Sequence, residues 1–183
     1  MKKRILMMML AGVLAFTMIG CGGAQTETEE PAVDDEIVDM EGEGEGEFEG
    51  GVVIDKPFAE MTLEEMILAS YADIELPFTG EMEIDQTDAE AVAFYLGTND
   101  VTFKRGVVSE AMISSIAHSV VVLEMEDAAA AEAAAATLKE TAPVGKWVCV
   151  VPEQSGTAHR DNFVMMAMSG AADAILANFA ALQ

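Results

Sequence analysis

The sequence predicts an α+β domain, a mainly antiparallel four-stranded sheet with helices packed on it, ordered β-β-α-β-β-α behind two N-terminal helices. Three observations carry this. Two capping signatures, Thr62 with Glu65 and Thr87 with Glu90, each open a stretch of helical apolar spacing. From Val101 onward the apolar period shortens to that of strands. An alanine-rich helical run, Ala128 to Ala136, then separates two pairs of apolar strand candidates, a run of strands and helices that points to α+β.

Each element follows from its residues. Thr62 can cap the amide of Glu65, with Met61 and Met66 placed as a staple, and Leu63, Met66, Ile67 and Tyr71 form the apolar face of the first helix. Residues 73 to 86 lose periodicity around Leu76-Pro77-Phe78-Thr79-Gly80 and read as a loop. The second helix runs from the Thr87 box through Val92, Tyr95 and Leu96 to Gly97. Residues 101 to 112 form the first expected strand. His118 to Met125 forms the second, apolar on both faces and so central in the sheet.

Asp127 caps a helix to about Thr141, which Pro143 and Gly145 end. Alanine has high helix propensity and little surface to bury, so this helix should lie close to the sheet. Lys146 to Val151 reads as the third strand, with Trp147 and Cys149 on one face and Val148 and Val150 on the other. Pro152 to Asp161 holds turn residues, Asn162 to Met168 is the fourth strand, and Ser169 is placed to cap a last helix carrying Ile175, Phe179 and Leu182.

Ahead of this domain the chain has a different character. Lys2, Lys3 and Arg4 precede an uncharged, mostly apolar run from Ile5 to Ile19, and small Gly20 precedes Cys21, as in a secretory signal. The run is short for a membrane span. Met18-Ile19-Gly20-Cys21 resembles the lipobox of bacterial lipoproteins, with Met18 in place of the usual leucine. That resemblance implies acylation of Cys21 and a mature chain that begins there, with residues 1 to 20 removed. Two or more acyl chains are enough for stable anchoring, since each buried CH2 contributes about 0.8 kcal/mol. The expected location is the extracytoplasmic face of the cell membrane.

Without residues 1 to 20, six basic residues face thirty-three acidic ones, a net charge of −27. Nucleic acid and anionic lipid surfaces are approached through Lys and Arg, so both are excluded as partners, whereas an extracytoplasmic protein or a cationic ligand is not. Thirteen of the acids fall between Glu27 and Asp55, and residues 41 to 47 alternate Glu with Gly. Such a segment cannot bury enough apolar surface to offset its ordering entropy, so residues 21 to 58 are expected to form a disordered acidic tether before a single domain over 59 to 183. Forty residues would span about 35 Å as a flexible coil. Cation binding by this segment is the alternative, although it lacks the spacing of a calcium loop.

The order of segments carries one further resemblance. The cysteine-anchored signal, the acidic linker, a helix before Leu76-Pro77, and an Ala-Glu-rich helix leading to Phe163-Val164-Met165-Met166-Ala167-Met168-Ser169 resemble the lipoprotein family called domain of unknown function 4358. The similarity covers roughly residues 60 to 183 and rests on hydrophobic pattern. In that family the long helix continues into a Leu-Pro-Glu-Gln-Tyr-like stretch, and here Thr141 to Gly145 is much shorter. No activity is assigned to the family, so the resemblance implies none.

No catalytic constellation emerges from the residues, and no catalytic, cofactor-binding or metal-binding residue is assigned. With Cys21 lipidated, Cys149 has no disulfide partner, and its apolar neighbours predict a buried thiol with a raised pKa. His118 and His159 have no second ligand at helical spacing, and a zinc site wants three or four. His159-Arg160-Asp161 is expected in a solvated hairpin loop. Alternation puts Met166 and Met168 on one face of a strand and Met165 on the other, an arrangement for packing rather than for holding soft metal. The expected function is therefore that of a lipid-anchored, non-catalytic module that binds a protein or ligand. A cell-wall-associated or thiol-dependent enzyme and an acidic cation-binding protein are the alternatives.

Overall fold

The computed structural model describes residues 54–183, and Cys21, the signal sequence and residues 22 to 53 lie outside them. These residues build an α+β domain around a five-stranded antiparallel sheet. The strands are β1 (Thr79–Glu83), β2 (Arg105–Ala111), β3 (Ser119–Glu124), β4 (Gln154–Arg160) and β5 (Phe163–Ser169), in spatial order β1-β2-β3-β5-β4. Helix α1 (Leu63–Ser70) precedes β1, α2 (Ala89–Leu96) joins β1 to β2, α3 (Ala128–Thr141) joins β3 to β4, and α4 (Ala172–Ala181) follows β5. Among the described residues no helix is long and apolar enough to cross a membrane.

Alternation along the strands makes two cores. Val107, Val120, Val122, Met165 and Ala167 face α1 and α4, while Val108, Val121, Leu123, Val164, Met166 and Met168 face α2 and α3. The sheet is thus covered on both sides. β3 is central, as its two-sided apolar pattern requires, and Val121 pairs with Val108 on one side and Met166 on the other. The three methionines divide between the cores as expected.

The capping at the first and third helices follows the sequence. Thr62 and Glu65 form the reciprocal box, with Glu65 N donating to Thr62 Oγ1 and Thr62 N to Glu65 Oε2. Asp127 accepts from Ala130 N at the start of α3, whose buried residues are Ala131, Ala134, Ala135 and Leu138. Gly97 ends α2 with φ +71°, and a Cβ there would meet the Thr141 carbonyl oxygen at 1.8 Å. This glycine therefore serves both the left-handed backbone and the close approach of the α2 and α3 ends.

Five expectations are corrected. The sheet has five strands, not four, because the stretch read as a loop over 73 to 86 contains β1, a polar edge strand. Lys146 to Val151 is not a strand; turns closed by Val144 N to Ala142 O and Lys146 N to Pro143 O lead into it, and Val148 is 99% exposed. The place beside β5 belongs to Gln154–Arg160, which the sequence offered as turn residues. β propensity is a fit to a pleated, half-buried surface, and there small side chains fit better: a Cβ on Gly156 would lie 3.0 Å from Leu176 Cδ1, and Thr157 Oγ1 donates to Ala135 O at 3.0 Å. The second helix is capped by Asp88, which accepts from Glu90 N and Ala91 N, while Thr87 donates to Asp85. Ser169 is the last residue of β5, and α4 begins without a side-chain cap.

The packed chain also starts before residue 59. Phe58 is buried edge-on against Phe163 and Phe179, and Lys56 pairs with Glu65 at 2.7 Å.

Candidate functional site

Two short stretches of adjacent strands gather the polar side chains of the interior. In β2 and at the start of β3, Ser109-Glu110 and His118-Ser119 lie side by side, with Glu110 opposite Ser119. Alternation then sends Ser109 and His118 to the α1 and α4 face and Glu110 and Ser119 to the other. The result is two polar clusters back to back at one end of the sheet.

The first cluster is uncharged and sealed. His118 is 1% exposed; its Nε2 lies 3.0 Å from Tyr71 Oη, at the end of α1, and its Nδ1 lies 3.0 Å from Ser169 Oγ, at the end of β5. A neutral imidazole has one donor and one acceptor, and two hydroxyls satisfy both. Burial, assisted by the nearby Lys146 charge, lowers the His118 pKa to about 4. The Tyr71 phenol is raised by burial, which the Ser109 hydroxyl partly offsets. Ser109 in turn donates to Glu81 Oε1 at 3.1 Å. This trio ties α1 to the strands beneath it.

The second cluster carries charge. The Lys146 ammonium donates to Glu110 Oε1 and, at 2.9 Å, to Ser119 Oγ, and it stands about 5 Å from the ring centroids of Phe94, Tyr95 and Trp147. The lysine side chain is 4% exposed and Glu110 17%. Burial lowers the Lys146 pKa while Glu110 pulls it upward. Three aromatic faces, a carboxylate and a hydroxyl together replace the water the ammonium has lost.

A serine beside an imidazole and a phenol has the residue types of acyl-transfer chemistry, and neutral His118 could accept a proton. Ser169, however, is itself buried, and among the described residues grooves of about 640 and 570 Å³ are lined by other side chains. In this arrangement His118 bonds to both hydroxyls within the interior of the domain.

Cys149 is exposed, against the expectation of a core thiol, because the stretch that carries it lies outside the sheet. It takes part in none of the hydrogen bonds of the described residues. His159 is exposed near the end of β4, and the left-handed turn is made by Asp161 at φ +49° with Asn162. No group of three or more metal-ligating side chains occurs among the described residues. The sequence signal for the His118 cluster was a polar residue in step with buried Val120 and Val122, which calls for a partner. Nothing local announced Tyr71 or Ser169 as that partner.

No protein-family model, curated protein or solved structure matches the chain.

Proposed function

We propose that the chain is an extracytoplasmic lipoprotein, held on the cell membrane through acylated Cys21, and that its folded domain is a non-catalytic module for binding another protein. The observation that carries the anchor is the run from Lys2-Lys3-Arg4 through an apolar stretch to Gly20-Cys21. The binding reading is supported by a group of large apolar side chains left in solvent around the start of β1 and the β2–β3 loop: Phe78 at 71% exposure, Met112 at 63% and Ile113 at 51%. Grouped exposed apolar side chains mark interaction surfaces more often than scattered ones do. The acidic balance of the whole chain favours a basic partner. The resemblance in hydrophobic pattern to the domain of unknown function 4358 family brings no activity to this reading.

Metabolic labelling with an alkyne fatty acid tests the anchor. Wild-type chain should be tagged, and Cys21→Ala should release the protein into the medium; a Cys21→Ala chain that stays membrane-bound defeats the proposal. The exposed Cys149 thiol supports a second reading, thiol chemistry at the surface. The two separate when Cys149→Ala is assayed for crosslinking to partners in the native membrane, which the module reading expects to survive unchanged.

A further inference from the structure

β1 closes one side of the sheet and, among the described residues, pairs only with β2. Its hydrogen bonds show which way its backbone points. Met112 N donates to Phe78 O at 2.9 Å, Ile84 N donates to Gly106 O at 2.8 Å, and Gly80 and Met82 stand opposite Glu110 and Val108 between them. In an antiparallel pair, bonded positions recur at every second residue. Residues 78, 80, 82 and 84 therefore turn their backbone groups toward β2, and Thr79, Glu81 and Glu83 turn theirs outward. Among the described residues this edge has no partner strand, so it presents a row of unpaired N–H and C=O groups over a five-residue strand.

The side chains along this edge sort by face. Phe78, Met82 and Met112 lie on the face of α2 and α3, all substantially exposed, and Met112 rests across Gly80, with its sulfur 2.8 Å from where a Cβ would sit. Thr79, Glu81 and Glu83 lie on the opposite face. Glu83 continues into the groove of about 640 Å³ that Glu64, Asp85, Lys104 and Arg105 also line. Both bases of that groove are matched, Lys104 by Glu126 at 3.1 Å and Arg105 by Glu124 at 2.7 Å, while Glu64 and Glu83 enter no ion pair among the described residues. The edge is apolar on one side and carries uncompensated negative charge on the other.

We propose that β1 receives an extended segment of another protein as a sixth strand, with alternating apolar and basic residues. Main-chain bonds to Thr79, Glu81 and Glu83 would supply affinity, and the alternation would supply selectivity. Apolar side chains of the guest meet Phe78, Met82 and Met112, and its lysines or arginines meet Glu81 and Glu83. A second copy of this chain does not fit. Antiparallel pairing of β1 with itself sets glutamates against glutamates, which destabilises cross-strand pairs, between chains of net charge −24. The inference rests on the reading of the domain as a protein-binding module and names the class of its partner.

The test uses the full chain in detergent and a labelled peptide of alternating valine and lysine with glycine ends, followed by fluorescence anisotropy. A peptide of the same charge with N-methyl groups at alternate residues, which cannot bond to the edge, controls for attraction to the acidic residues before the domain. Binding should weaken by about tenfold or more with the methylated peptide and vanish when glutamate replaces lysine in the peptide. Glu83→Pro removes only an outward-facing N–H, a substitution an edge strand tolerates, and should weaken binding by about tenfold. Glu83→Lys, which keeps the backbone intact, should do the same. Equal affinity for the methylated peptide, or for the Glu83→Lys chain, overturns strand addition. A photo-crosslinker at Ile113 that captures a partner in the native membrane, while one at Met82 captures none, also overturns it and leaves the module reading standing.

Discussion

The two faces of the sheet end in polar clusters drawn from the same two dipeptides, yet one is neutral and sealed and the other is charged and caged. On the α1 side, His118 bonds to two hydroxyls, so every polar atom is satisfied without a net charge and the cluster can be buried outright. On the α2 side, Lys146 brings an ammonium that cannot be buried without Glu110. The comparison shows how strand alternation lets one pair of neighbouring strands support two unlike polar solutions, because each dipeptide contributes one residue to each face. It also shows what each solution depends on: hydrogen-bond complementarity in one, a counter-charge in the other.

The largest expected effect breaks the charged side. Glu110→Ala leaves a nearly buried ammonium without its carboxylate and should destabilise the domain by about 3 kcal/mol in urea unfolding. Replacing both Glu110 and Lys146 by methionine should recover most of that loss, since an apolar pair needs no counter-charge. A Glu110→Ala midpoint equal to that of the wild type would show that the cage alone holds the lysine.

Acid acts on the neutral side. The folded pKa of His118 is about 4, below its ordinary value of 6.5, so the unfolded chain binds this proton more readily. Stability from this group is complete above pH 6.5 and is lost as the pH falls toward 4, by about 3 kcal/mol at most. Glu65, held low by Lys56 and the Thr62 amide, and Asp85, held low by the Thr87 amide and hydroxyl, lose their contributions only as carboxyl groups titrate, farther into acid. Thermal melts of wild type and His118→Gln should therefore diverge most near neutrality and converge toward pH 4. Parallel curves would remove His118 from the account.

Smaller changes sharpen the contrast. Tyr71→Phe leaves one imidazole nitrogen unpaired beneath α1 and should cost about 1 to 2 kcal/mol, with the acid-dependent loss retained. Cys149→Ala, in the exposed stretch beyond both clusters, should shift stability by less than about 0.5 kcal/mol. Iodoacetamide should label that thiol about as fast in the native chain as in denaturant; strong protection would mean that the 146 to 151 stretch packs down in solution.

Much of the domain was determined by the sequence itself. The Thr62 box, the Asp127 cap and the Gly97 stop specify helix ends through groups within a few residues, and the two-sided apolar run of β3 specifies a central strand wherever its neighbours lie. The separation of Met165 from Met166 and Met168 follows from the pleat alone. Tertiary structure decided the rest. Val148, Val150 and Val151 are strand-like residues without a paired neighbour among the described residues, whereas Gln154–Arg160, polar and glycine-bearing, became β4 because small side chains let α3 and α4 close over it. Cys149 is exposed for the same reason. His118 meets Tyr71 and Ser169 from 47 and 51 residues away, and Lys146 meets Glu110 from 36. Burial and hydrogen-bond satisfaction act across such distances only after the sheet has assembled, so no local pattern in the chain could announce them.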